Sequence, residues 1–168
     1  MQVFSAAQCV GYVAFVLGVT AFLQKDDRRL KWLLSAECMA YAIHFRMLGD
    51  LTASLSTFTS GVRCLVALKT QSRRVAGVVL AINIAVGLCF AHAPLDWLPV
   101  ISSCLGTIAI FLLQGLAMRL VLLSSTLLWL VNNFFCGSIG GTLLESTIAI
   151  SNITTMIRLY RAPRPQLP

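Results

Sequence analysis

Apolar stretches of roughly 18 to 21 residues follow one another along almost the whole chain, each long enough at about 1.5 Å per residue to cross a hydrocarbon core of about 30 Å. Short intervals separate them, and the charges gather there, as in QKDDRRLK at 24–31 and KTQSRR at 69–74. Only 11% of the 168 residues are charged and 58% are hydrophobic, whereas a soluble domain is usually about 25% charged. With a mean hydropathy of +0.84, the chain cannot clothe a water-facing surface. The expected fold is all-α, a polytopic membrane protein.

Seven spans are expected, at 3–23, 32–48, 51–69, 75–92, 97–115, 118–136 and 141–160. Basic residues fall in alternate connections: Lys25, Arg28, Arg29 and Lys31, then Lys69, Arg73 and Arg74, then Arg119, and finally Arg158, Arg161 and Arg164. The intervening connections HAPLD and CGSIGG carry no Lys or Arg, and the second-to-third has only Arg46. By the positive-inside rule the N-terminus lies outside and the C-terminus in the cytoplasm, which requires an odd number of spans. The net charge of +7 then reflects orientation in a bilayer and not nucleic-acid binding. The opening MQ supplies no basic n-region, so the first run reads as a retained helix and not a signal peptide. RAPRPQLP at 161–168 is too rich in proline to extend the last helix.

Sliding the sequence over itself by 88 residues pairs Gly18 with Gly106, Lys31 with Arg119, Leu34 with Leu122, Tyr41 with Trp129, Gly49 with Gly137, Leu55 with Leu143 and Thr59 with Thr147. The implied plan is two parallel three-helix repeats, residues 1–74 and 96–161, joined by a linker helix at 75–95 and followed by a flexible tail at 162–168. In the last span a second register competes. Thr52, Ser56, Thr59 and Arg63 recur as Thr147, Ser151, Thr154 and Arg158 at an offset of 95, two helical turns further on and therefore on the same face. Small residues at helical spacing, Gly11, Ala14, Gly18 and Ala21 in span one and Ser102, Gly106 and Ala109 in span five, mark faces for close helix packing.

The chain resembles the YgjV family of bacterial inner-membrane proteins through DDRRLK at 26–31, HF at 44–45, Arg63, LPVI at 98–101, LAMR at 116–119, GSIGGTLLE at 137–145 and MIR at 156–158. That family is similar in helix layout to the SWEET and PQ-loop carriers, with their three-plus-one-plus-three plan. Those carriers typically place prolines within the first two helices of each unit. Here spans one, two and six have none, and Pro99 sits near the start of span five.

Ionisable groups inside a bilayer are costly unless paired or wet, so each is a site candidate. Glu37 and Arg63 lie at matching depths in adjacent antiparallel spans and are expected to form an ion pair. Thr142 and Glu145 have the T-x-x-E spacing of a capping box at the start of span seven. The candidate solute-binding set is Asn152 near the midplane, Asn132 with Trp129, their repeat partners His44 and Tyr41, and Ser56 and Thr59 of the span-three stripe. Asn132 and its neighbour Asn133 point about 100° apart, so at most one faces a central path while the other bonds a neighbouring helix.

Signals for catalysis are poor. His44 and His92 lack a histidine partner at i+4, GSIGGT lacks the lysine of a P-loop, no G-x-S-x-G elbow occurs, and none of the six cysteines forms a C-x-x-C pair. No metal and no cofactor is expected, and no enzyme. Two readings remain. The first is a carrier of a small polar solute working by alternating access, passive or coupled to an ion, with Glu37, His44 and Glu145 as the candidate proton carriers. The second is a non-transporting scaffold or accessory protein, its polar residues serving packing. One water-accessible cavity touching Asn152, Asn132 and the span-three stripe separates them. The bilayer and the solute are the expected partners, with the chain a monomer or homo-oligomer.

Overall fold

The computed structural model describes residues 3–22, 27–70 and 72–161. Lys25, Arg164 and the tail at 162–168 lie outside the described residues. Seven α-helices follow the expected spans: α1 Ala6–Phe22, α2 Asp27–Leu48, α3 Leu51–Val66, α4 Arg73–Phe90, α5 Trp97–Leu112, α6 Gly115–Cys136 and α7 Ile139–Arg161. The largest difference is at α2, which begins five residues before the expected span. Its first turns are charged, and hydropathy cannot see a helix that continues beyond the apolar run. By length and composition three helices can cross a membrane, Arg73–Phe90, Pro94–Leu112 and Gly115–Cys136, and the apolar Ala6–Ala21 is shorter. The others fall short because α2 carries Lys31, Glu37 and Arg46, α3 has 16 residues and is rich in Ser and Thr, and α7 holds Glu145 and Asn152 among further Ser and Thr.

Local chemistry explains where the helices stop. α2 and α6 are both 22 residues long, their bounds coincide at the offset of 88, and each ends on a glycine in the left-handed region, Gly49 at φ 88° and Gly137 at φ 74°. Only glycine adopts that conformation without a Cβ penalty. Asp50 then caps α3 by accepting from the Ala53 N–H at 2.9 Å, and Ser138 caps α7 by accepting from the Gly141 N–H at 3.1 Å. Between α4 and α5 a 3-10 turn at Pro94–Asp96 is closed by Asp96, whose carboxylate accepts from the N–H groups of His92 and Ala93, both at 2.8 Å.

The helices close a ring. α2 packs on α1 and α3, α6 packs on α5 and α7, and the two trios meet along two seams, α1 with α7 and α3 with α5. α4 lies outside this ring against α3 and α5. Its Ala76, Val79, Asn83 and Gly87 form one buried face, and Gly87 admits the ring of Trp97. The small-residue stripes are buried as their spacing implies, Gly11, Ala14, Gly18 and Ala21 in α1 and Ser102, Gly106 and Ala109 in α5. At the first seam Gly140 lies against the backbone of Gly11, where an added Cβ would sit 2.5 Å from the carbonyl oxygen.

Side chains are arranged for lipid and not for water. Leu88, Phe134, Val78 and Ile150 are exposed on the outside, while the interior is built from alanine, Ser, Thr, Asn and the ionisable His44 and Arg63. Polar groups in such an interior must bond helix to helix. Ser102 and Ser125 do so reciprocally across α5 and α6, each hydroxyl donating to the other's carbonyl, at 2.7 and 2.9 Å.

Candidate functional site

A cavity of about 190 Å³ lies inside the ring, lined by α2, α3, α6 and α7 and by Ile110 of α5. Its charged groups are Glu37 from α2, Arg63 from α3 and Glu145 from α7. Its apolar wall is a stack of rings, with Tyr41 and Phe45 at 5.8 Å between centroids and Phe45 and Trp129 at 5.7 Å, nearly parallel in both cases. Cys38 and Cys64 complete the α2–α3 side, their thiols adjoining. The volume is below the roughly 300–1,000 Å³ of drug-sized pockets, so a bound solute has few heavy atoms.

Most buried polar atoms without a hydrogen-bond partner among the described residues belong to side chains that line this cavity: Tyr41 Oη, Thr57 Oγ1, Arg63 Nε and Asn133 Oδ1. These side chains are 2 to 9% exposed. Buried polar groups are normally satisfied, so their concentration at one place sets this cavity apart from the packed interior elsewhere.

The expected Glu37–Arg63 ion pair does not form. The Arg63 guanidinium crosses to α5, where Nη1 donates to the Ser103 carbonyl at 3.2 Å and to Thr107 Oγ1 at 2.8 Å. Glu37 instead accepts from the Cys38 thiol at 3.3 Å. Both residues line the same cavity, but Arg63 lies on the face of α3 that meets α5, and Gly106 leaves room for its guanidinium. The capping box is absent for a related reason. α7 starts three residues before Thr142, Ser138 is the cap, and the Thr142 hydroxyl donates back to the Ser138 carbonyl at 2.8 Å. Glu145 is thereby free to line the cavity, where its carboxylate lies within electrostatic reach of Glu37 and faces Thr126.

Tyr41 and Trp129 are at the cavity as expected; His44, Asn132, Asn152, Ser56 and Thr59 are not. His44 is fully buried, with Nδ1 2.7 Å from the Ala7 carbonyl and Nε2 2.8 Å from Ser138 Oγ. A carbonyl can only accept, so Nδ1 carries the proton and Nε2 accepts from the serine. The imidazole thus ties α1 to the α6–α7 turn and has no free nitrogen for a solute or a proton relay. Asn132 donates to Asp50 at 3.3 Å and Asn152 to the Arg119 carbonyl at 3.0 Å. Both are helix-to-helix ties. Ser56 faces α5, where its carbonyl accepts from Ser103 Oγ at 3.2 Å, and the Thr59 hydroxyl donates to Leu55 of its own helix at 2.9 Å.

In place of these residues stand Asn133, Thr57 and Ser60. The division of labour expected for adjacent asparagines holds with the members exchanged, since Asn133 faces the cavity and Asn132 the neighbouring helix. Gln8 was also missed. Its amide clasps the α6–α7 turn, Nε2 donating to the Gly137 carbonyl at 2.7 Å and Oε1 accepting from the Ile139 N–H at 3.2 Å. A lone glutamine in an apolar run was the available signal.

A bundle with large apolar side chains outside, polar ties inside and a small charged cavity at its centre is a polytopic integral membrane protein. The chain belongs to the Imp-YgjV family of bacterial inner membrane proteins, whose sequence model matches residues 5–163. It is 37% identical over 161 residues to the inner membrane protein YgjV of Escherichia coli (strain K12), covering 96% of this chain and 88% of that relative. No solved structure matches it.

Proposed function

We propose that the protein carries a small polar solute across the bacterial inner membrane by alternating access, with the cavity as the solute site. The observation that carries this reading is the cluster of unpartnered buried polar atoms around a cavity that also holds Glu37, Arg63 and Glu145. A protein that needed its polar residues only for packing has reason to pair them, as Asn132 and the Ser102–Ser125 couple are paired.

The cavity lies where the first three helices meet the last three. We read these trios as parallel repeats of a SWEET-like carrier, with α4 as linker, supported by the coincident bounds and left-handed glycines of α2 and α6. Rocking of one trio against the other opens the cavity to either side in turn. The end of the bundle that holds the start of α2 and α6 and the end of α7 faces the cytoplasm and the N-terminus lies outside in this reading, which the basic residues there support. Movement is passive or coupled to an ion, no catalytic step is involved, and both trios in one chain suffice for a working monomer.

Reconstitution tests the reading. Proteoliposomes carrying the parent chain take up a component of a mixed metabolite pool that empty vesicles exclude, and Asn133→Ala abolishes that uptake. Equal flux through parent and empty vesicles refutes it. The second reading, a non-transporting scaffold, is favoured by the helix-to-helix bonds that occupy Asn132 and Asn152, and gains from that negative result.

A further inference from the structure

We infer, building on the carrier reading, that the solute is a small protonated primary amine, gripped by Glu37 and Glu145 against the aromatic wall of Tyr41 and Trp129. Charge is the first argument. Two carboxylates share the cavity with one guanidinium, which is already engaged by Ser103 and Thr107. Neither carboxylate is ion-paired among the described residues; their neighbours are the Cys38 thiol and Thr126. With both carboxylates ionised the site is short of one positive charge, which a bound ammonium supplies.

Hydrogen-bond polarity is the second argument. Besides the carboxylates, Asn133 Oδ1 and Tyr41 Oη are unpartnered oxygens able to accept. A wall of acceptors calls for a ligand of donors, and a primary ammonium offers three in the space of one atom. Arg63 Nε is an unpartnered donor there, as are the Tyr41 and Thr57 hydroxyls, so a hydroxyl on the same solute also finds a partner. Aromatic faces are the third argument, because Trp and Tyr attract ammonium groups through the ring quadrupole.

Other solute classes fit less well. A bare metal ion lacks ligands, since among the described residues no three His, Cys, Asp or Glu side chains are grouped to hold one. An anion meets two carboxylates, and a neutral solute leaves them uncompensated in a low-dielectric interior. Volume restricts the amine to a few heavy atoms.

Ethanolamine is the probe, with acetate and urea as the anionic and neutral comparisons at equal concentration. The parent chain in lipid nanodiscs should show a raised thermal midpoint with ethanolamine alone, and parent proteoliposomes should take up labelled ethanolamine saturably above empty vesicles. Glu145→Gln and Glu37→Gln, each checked for an unliganded midpoint near the parent's, should weaken ethanolamine binding at least about tenfold, the loss of one charge-assisted hydrogen bond. If acetate or urea stabilises or enters and ethanolamine does neither, the amine assignment is overturned while the carrier reading stands. A midpoint shift with ethanolamine but no saturable uptake supports the amine site and overturns carriage. Ethanolamine that neither stabilises the parent nor enters overturns the amine assignment, and in that case uptake of another solute from the mixed pool still decides the carrier reading.

Discussion

Gly140→Ala should separate the two trios at their first seam. The new Cβ meets Gly11 O at 2.5 Å and Gly11 C at 2.7 Å. Both atoms are backbone and cannot swing aside, so α1 and α7 must part by roughly 1 Å to restore ordinary contact, and overpacking of this kind costs about 1–3 kcal/mol. The same movement stretches the two Gln8 bonds to the α6–α7 turn, now 2.7 and 3.2 Å, and interhelical hydrogen bonds in a bilayer contribute about 0.6 kcal/mol each. Together the expected loss is about 2–4 kcal/mol. Equilibrium unfolding in a mixed lipid–detergent titration reads it directly. Gly77→Ala is the control, because its Cβ meets nothing within 4 Å and should be neutral or slightly stabilising. A Gly140→Ala stability within about 0.5 kcal/mol of the Gly77→Ala value, the range of an inert surface change, refutes the packing of this seam.

Adjacent asparagines should behave oppositely. Asn133→Ala abolishes solute flux while leaving the unfolding free energy nearly unchanged, whereas Asn132→Ala leaves flux intact and costs about 0.6 kcal/mol through its lost bond to Asp50. Ser138→Ala removes the cap of α7 and the partner of His44 together, and unfolding titrations should show a loss of about 1–2 kcal/mol. Thr142→Val, whose hydroxyl serves only its own helix, should cost less than half of that, and equal costs would restore Thr142 as the cap.

The sequence was most legible where one solvent decided everything. Apolar length placed seven helices, and small residues at helical spacing named the buried faces of α1 and α5, because close approach leaves no alternative to Gly, Ala or Ser. The left-handed turn glycines Gly49 and Gly137 enter the sequence reading only as a matched pair of the repeat. Rotation about a helix axis was not legible. On α3 the expected stripe ran through Thr52, Ser56, Thr59 and Arg63, while the side chains at the cavity include Thr57, Ser60 and Arg63. Arg63 is common to both sets, but Thr57 and Ser60 are each turned about 100° from Ser56 and Thr59. Which pair faces the centre depends on where α5 packs, and composition does not contain that. Asn152 fell to the same ambiguity: depth near the midplane was inferred, but its amide is turned to the Arg119 carbonyl of α6.

Helix starts account for the remaining errors. A T-x-x-E pattern caps a helix only if the threonine stands at its first turn, and the true start at Ile139 converts Glu145 from a cap into a cavity group. Three residues of register therefore separate a capping glutamate from a cavity-lining one. That residue and Glu37 are the two carboxylates that line the cavity, and the rule that ionisable groups inside a bilayer are site candidates marks both.

Thiol chemistry reports most directly on whether the ring encloses a wet, polar cavity. Cys64 lines it, while Cys89 is exposed on the outer face of α4 among apolar side chains. In two variants, one keeping only Cys64 and the other only Cys89, a small water-soluble methanethiosulfonate should modify Cys64 in intact proteoliposomes and leave Cys89 unmodified in lipid. Modification of Cys89 with an inert Cys64 would contradict the account, because the interior would then be dry and the surface assigned to lipid would face water.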